Sequence, residues 1–285
     1  MNRLFPIEQL RKLPTPLYYY DLALLRKTLS AITDEVAKYE NFEVHYAIKA
    51  NANPKVLSVI RESGLGADCV SGGEVRASLE AGFPADKIVY AGVGKDDWEI
   101  NLGLDNDILC FNVESLEELE VINELAALKN KVANVAFRIN PNVGAHTHAN
   151  ITTGLAENKF GISMEDMIPI INKTSSMSNV KFIGLHFHIG SQITELGVFK
   201  TLCERVEVLQ KWFLDRGVLV ESLDLGGGLG VDYQDPMGNP IANFEEYFSI
   251  INKNLIVRPG QSVHFEPGRA IVAQCGSLIS RVLYV

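Results

Sequence analysis

The chain has 285 residues, 47% of them hydrophobic, 21% charged and 8% aromatic, with a formal net charge of −9 at neutral pH. This is ample apolar content for a large core and an ordinary composition for a globular enzyme. A negative chain without a Lys/Arg-rich stripe argues against binding nucleic acid or an anionic membrane surface. No apolar run approaches the roughly 20 residues of a membrane span.

The opening stretch MNRLFPIEQLRKLPTP lacks the apolar core of a signal peptide, so a cytoplasmic protein is expected. Residues 1–25 read as a strand segment leading into the main domain. Eight short apolar runs then read as strands: Phe42–Ile48, Gly66–Val70, Ile88–Ala91, Ile108–Phe111, Val135–Ile139, Phe182–Ile189, Ser222–Leu225 and Val263–Glu266. Amphipathic stretches between them read as helices: Pro54–Ser63, Glu74–Ala81, Leu116–Leu128, Glu165–Asn172, Val198–Asp215 and Phe244–Ile251. This βαβα alternation predicts an α/β fold with a parallel sheet covered by helices. Eight strands in that rhythm favour a closed (β/α)8 TIM-like barrel over residues 26–270. Helix starts are marked by Asn53-Pro54 and by the capping-box patterns Ser71 to Glu74 and Ser115 to Glu118. Residues Asn140–Ser163 form a long connection of the kind that is usually functional or disordered. Ile271–Val285 reads as one strand with nothing after it, the start of a C-terminal β-domain missing from this chain. The four cysteines (Cys69, Cys110, Cys203, Cys275) are scattered with no CxxC pair, so they are expected to be reduced, mostly buried thiols.

In a parallel barrel the chemistry sits at the C-terminal ends of the strands. The first candidate strand ends in Tyr46-Ala47-Ile48-Lys49. Period-two alternation puts His45, Ala47 and Lys49 on the inner face and Val44, Tyr46 and Ile48 outward. Lys49 then points into the barrel mouth, where desolvation and nearby cations would lower its pKa and suit it to Schiff-base chemistry. A solvated loop lysine is the plain alternative. Asp68 and Arg138 fall at the ends of the second and fifth candidate strands. The sixth carries His186 and His188 on one face, followed by Ser191. The glycine run Gly226-Gly227-Gly228 follows the seventh, where exposed backbone N–H groups can cradle a phosphate. After the eighth come Glu266, Gly268 and Arg269. Arg269 would add a charge-assisted phosphate contact, and Glu266 could face a pyridine nitrogen and keep it protonated. HxH is also a metal-ligand spacing, but no further His or Asp set completes such a site, and no metal is expected.

YAIKAN, HFHIGSQ, LDLGGGLG and FEPGR, in this order and at these strand ends, resemble the fold-type III pyridoxal-phosphate decarboxylases, whose barrel is alanine racemase-like. The stretch Arg138 to Val143, with His146, Thr152-Thr153-Gly154 and Lys159-Phe160-Gly161-Ile162, looks like the diaminopimelate decarboxylase branch, which forms L-lysine and carbon dioxide from meso-2,6-diaminopimelate. The resemblance implies pyridoxal 5′-phosphate as a Schiff base on Lys49, His188 against its ring and Glu266 at its nitrogen. It implies Ser191, Gly226, Gly227, Gly228, Gly268 and Arg269 around the phosphate, with Arg269 also on the substrate's distal carboxylate. Asp68 and Arg138 would orient Lys49 and the ring. It further implies a homodimer in the complete protein, whose C-terminal β-domain brings a catalytic cysteine motif absent from this chain. A sister decarboxylase acting on ornithine, arginine or a carboxylated polyamine, and a non-catalytic cofactor-carrying barrel, are the competing readings.

Overall fold

The computed structural model describes residues 5–141 and 160–285. Its strands are β1 (Leu17–Tyr20), β2 (Phe42–Ala47), β3 (Gly66–Cys69), β4 (Ile88–Tyr90), β5 (Cys110–Val113), β6 (Ala133–Arg138), β7 (Val180–His186), β8 (Ser222–Asp224), β9 (Ser262–Phe265) and β10 (Gly276–Ile279). Strands β2 to β9 pair in parallel in chain order, and β9 returns to β2 with Phe42 opposite Val263, closing the barrel. The expected eight-stranded barrel is therefore present. β1 and β10 form a separate antiparallel pair, Leu17 opposite Ile279.

Alternation divides the side chains between two environments. Outward residues such as Val44, Tyr46, Phe111, Leu185 and Phe265 join one large apolar cluster with the surrounding helices. Helix Leu22–Val36 shows how the helices enter it. Asp21 caps its start by accepting the Leu24 N–H, and Leu25, Leu29 and Ile32 form the buried stripe. The lumen is different. Its apolar content is the small group Val89, Cys110 and Ala136, and its other occupants include His45, Asn112, Asp224 and His264, all buried. Barrels of this kind usually fill the lumen with branched aliphatics; here buried polar groups must satisfy one another.

They do so in chains. His45 Nε2 meets His264 Nδ1 at 2.8 Å, His45 Nδ1 meets the Lys87 carbonyl at 3.1 Å, and His264 Nε2 meets Ser262 Oγ at 2.8 Å. Burial pushes both imidazoles down to about 4, so both are neutral at pH 7.

Three sequence expectations need correction. The fourth barrel strand is β5, ending two residues later than the expected Phe111. Helices Leu22–Val36 and Asp97–Asp105 were not anticipated, and the first begins inside the segment read as 1–25. The C-terminal run is not one strand: Arg269–Val272 is helical, Ala273–Cys275 is a 3-10 turn, and only Gly276–Ile279 is extended. The Gly268 carbonyl accepts the N–H groups of Ile271 and Val272 and starts the turn. Ile271, Val272 and Cys275 are buried in the apolar cluster, and a short buried apolar run has no periodicity to separate helix from strand.

The caps at Asn53, Ser71 and Ser115 are present, each side chain accepting a first-turn N–H. Glu74 and Glu118 reach one residue further back than a capping box requires, to the N–H groups of Val70 and Glu114. The reciprocal box is formed instead by Asp96 and Glu99. Among the described residues, no helix is long and apolar enough to cross a membrane, and all four cysteines are buried and outside any disulfide.

Candidate active site

The C-terminal ends of the barrel strands enclose two adjoining cavities of about 430 and 370 Å³. Lys49, His188 and Glu266 line both.

β2 stops at Ala47, and the 3-10 turn Ile48–Ala50 carries Lys49 over the mouth, its side chain 46% exposed to the cleft. Lys49 Nζ lies 3.3 Å from Asp68 Oδ2, a buried carboxyl delivered by the neighbouring strand, where Asp68 stands opposite Ala47. The Asp68 charge raises the Lys49 ammonium above its ordinary value, outweighing the opposing effect of burial. The expectation of a lowered lysine pKa is thus corrected: strand pairing puts an anion, not a cation, beside it. Burial and the charge of Glu266 push Asp68 up to about 7, against the pull of Lys49.

Glu266 follows β9 and is buried. Its Oε2 lies 3.2 Å from His186 Nε2. Its Oε1 meets no N–H or hydroxyl donor among the described residues. Burial would raise this carboxyl, but the His186 ring, Lys49 and a hydrogen bond from Asp224 bring it below the usual carboxylate range. His188 is pushed down to about 3 by burial and by the charges of Lys49 and Arg138, so its ring is neutral.

The loop after β8 passes under the loop after β9. A Cβ on Gly227 would fall 2.4 Å from the Glu266 carbonyl, and one on Gly268 would fall 3.0 Å from the Cβ atoms of both Ala47 and Ala50. Gly228 adopts φ +117°, a conformation L side chains avoid. Gly227 and Gly228 line the larger cavity, and their N–H groups have no acceptor among the described residues. Gly226 does not share this role. Its N–H is committed to Asp224 Oδ1 at 2.9 Å, and it lines neither cavity. It makes the turn (φ +68°) and leaves the cradle to its neighbours. Arg269 borders the same cavity, with Nε 3.1 Å from Ser191 Oγ and Nη1 2.7 Å from the Tyr233 hydroxyl.

The second cavity is governed by Arg138, whose Nη1 pairs with Glu114 Oε1 at 2.7 Å and whose guanidinium lies 5.5 Å from the Phe160 ring centroid. Glu114 Oε1 also accepts the Gly92 N–H, while Oε2 is buried and meets no donor among the described residues.

These features fit pyridoxal phosphate. A bare glycine cradle with unengaged N–H groups and an arginine suits a phosphate. An amine stands at the mouth, and a buried anion with an open oxygen suits a protonated ring nitrogen. Nearly every residue singled out in the sequence thus converges on one cleft. His186 lines the smaller cavity and pairs with Glu266. The HxH pair does not act together: His186 groups with Asp224 and Glu266, without His188. Glu114, Asp224 and Tyr233 were not assigned roles from the sequence. Glu114 was hidden by placing the end of its strand too early, whereas Asp224, two positions before the first glycine of the run, was in view. Asn142, Val143, His146, Thr152 to Gly154 and Lys159 lie outside the described residues.

A family model described as the pyridoxal binding domain of pyridoxal-dependent decarboxylases matches residues 22–273. The diaminopimelate decarboxylase of Bacteroides thetaiotaomicron is 66% identical over the whole chain, which spans 74% of that protein. That of Haemophilus influenzae is 39% identical over 98% of the chain and 67% of its own length. The crystal structure of diaminopimelate decarboxylase from Helicobacter pylori complexed with L-lysine superposes with a TM-score of 0.90 at 35% identity, covering 98% of this chain and 69% of that one.

Proposed function

This chain belongs to the diaminopimelate decarboxylase family of pyridoxal-dependent decarboxylases, and we propose that it removes carbon dioxide from meso-2,6-diaminopimelate to give L-lysine. The observation that carries this reading is the convergence of Lys49, Glu266 and the Gly227–Gly268 cradle on one strand-end cleft. The names of its relatives supply the substrate.

Pyridoxal phosphate, when bound, supplies a conjugated ring that accepts the electron pair left at the substrate Cα as its carboxylate departs. Lys49 Nζ is the amine that would hold the cofactor covalently. It must first lose a proton, and Asp68 Oδ2, at 3.3 Å, is the base placed to take it. The Asp68 carboxyl, pushed up to about 7, can both accept and return that proton near neutral pH. Glu266, kept anionic, would hold a proton on the ring nitrogen. His188, kept neutral, would lie against the ring without adding charge. Ser191, Gly227, Gly228, Gly268 and Arg269 would hold the phosphate, and Arg269 also has reach toward a distal substrate carboxylate. Arg138, paired with and oriented by Glu114, would help to orient Lys49 and the ring. A homodimeric assembly and a cytoplasmic location complete the reading; four cysteines outside any disulfide are in keeping with the latter.

The test is release of carbon dioxide and L-lysine from meso-2,6-diaminopimelate in the presence of pyridoxal phosphate, with ornithine and arginine alongside. Diaminopimelate should be decarboxylated fastest, and Lys49→Ala should abolish the release. Faster turnover of ornithine or arginine, or an active Lys49→Ala variant, would overturn the assignment.

A further inference from the structure

Below the cleft, inside the barrel, three buried side chains meet: His186 at the end of β7, Asp224 at the end of β8 and Glu266 after β9. One polar atom of each lies within 4.8 Å of one polar atom of the other two. Hydrogen-bond accounting shows where the protons must be. His186 Nε2 faces Glu266 Oε2, and Asp224 Oδ1 accepts the Gly226 N–H. The Asp224 and Glu266 carboxyl groups face each other, close enough for one to donate to the other once it is protonated. Two buried carboxylates cannot both be ionised in such a contact, so one of them carries a proton. Glu266 has the His186 ring and Lys49 to favour its charge. Asp224 has one backbone N–H. The proton therefore resides on Asp224.

We propose that Asp224 is a positioning residue: a neutral carboxylic acid at pH 7 whose O–H donates to Glu266 and keeps that carboxylate ionised and aimed, toward a cofactor ring nitrogen if the function proposed above holds. The electrostatics agree in direction. Burial and the Glu266 charge push the Asp224 carboxyl well above the carboxylate range. The other titratable groups facing it are Asp68, His186, His264, Cys110 and Tyr247. Burial keeps His264, Cys110 and Tyr247 neutral at pH 7, so none offers Asp224 a counter-charge. Asp224 also lines a cavity of about 490 Å³ at the opposite, N-terminal end of the lumen, together with Ser262 and His264. That cavity gives its proton a path of exchange separate from the substrate cleft.

The first test needs no cofactor. The chain is labelled with carboxyl-13C aspartate, and its infrared spectrum is followed from about pH 5 to 9, a range that lies above the ordinary aspartate value of about 4, so that only raised carboxyl groups stay protonated in it. One protonated aspartate carbonyl band should persist above about pH 8, where Asp68 is already ionised, and should vanish in Asp224→Asn. A band that disappears near pH 7 belongs to Asp68 and should vanish in Asp68→Asn. Absence of any Asp224-dependent band above that pH would overturn the proposal, whatever the enzyme's substrate. The second test is rescue. Asp224→Asn, whose amide still donates, should keep pyridoxal phosphate affinity within about threefold, whereas Asp224→Ala should lose about tenfold or more. Equal losses in the two variants would contradict a hydrogen-bond donor role. The infrared arm uses only the isosteric variant and stands if the alanine variant does not fold.

Discussion

Two effects compete at the Lys49 amine. Desolvation favours the neutral form, and a carboxylate at 3.3 Å favours the ammonium. The carboxylate wins, so Lys49 rests protonated and depends on Asp68 to become a nucleophile. Replacing Asp68 with Asn removes the charge that raises the lysine. The pH midpoint for capture of pyridoxal phosphate by Lys49, trapped with borohydride across a pH series, should therefore move down in Asp68→Asn. An unchanged or higher midpoint would show that Asp68 does not control the amine. Lys49, His188 and Glu266 could be brought to the barrel mouth from the sequence because each lies within two residues of the end of a recognisable strand. The sense of the Lys49 shift could not be read in this way. It depends on which residue of β3 stands beside Ala47, a register that no single strand reveals. Asp224 illustrates the same limit: its importance lies in contact with Glu266, a partner on another strand and 42 positions away in the chain.

Elements do their work at their ends. Turns after β8 and β9 carry the bare backbone of the cradle, and the end of β2 with the short 3-10 turn after it supplies its floor through Ala47 and Ala50. A methyl group on Gly268 would press on both alanines at 3.0 Å and intrude on the space that suits a phosphate. Gly268→Ala should weaken pyridoxal phosphate binding about tenfold, or about 1.4 kcal/mol, in an absorbance titration. Unaltered affinity would place the phosphate elsewhere. Elements with strong local signals were legible: Leu116–Leu128 begins and ends as its cap and periodicity indicate. The engagement of the Gly226 N–H was not legible, because a glycine run announces a tight turn but not which N–H groups that turn uses itself. The C-terminal segment was misread because burial against the barrel, rather than strand pairing, selected its apolar residues.

Closure of the barrel makes the site. Lys49 and Glu266 are 217 positions apart, and they share a cleft because β9 pairs back onto β2 with Val44 beside Phe265. The lumen then has two polar ends, the cleft above and the His45–His264 chain below, with Asp224 facing both. The alternation of strands and helices was enough to expect this architecture, since eight such units have few ways to bury both faces of a parallel sheet. Its polar lumen was not foreseeable, because the hydrogen bonds that satisfy the buried histidines and carboxyls join residues from different strands. The most direct test of the whole account is to add pyridoxal phosphate to the chain, reduce with borohydride and map the modified peptide by mass. A pyridoxyl adduct confined to the peptide containing Lys49, and lost in Glu266→Ala or on prior unfolding, is the predicted result; labelling spread over surface lysines, or an adduct indifferent to unfolding, would contradict it.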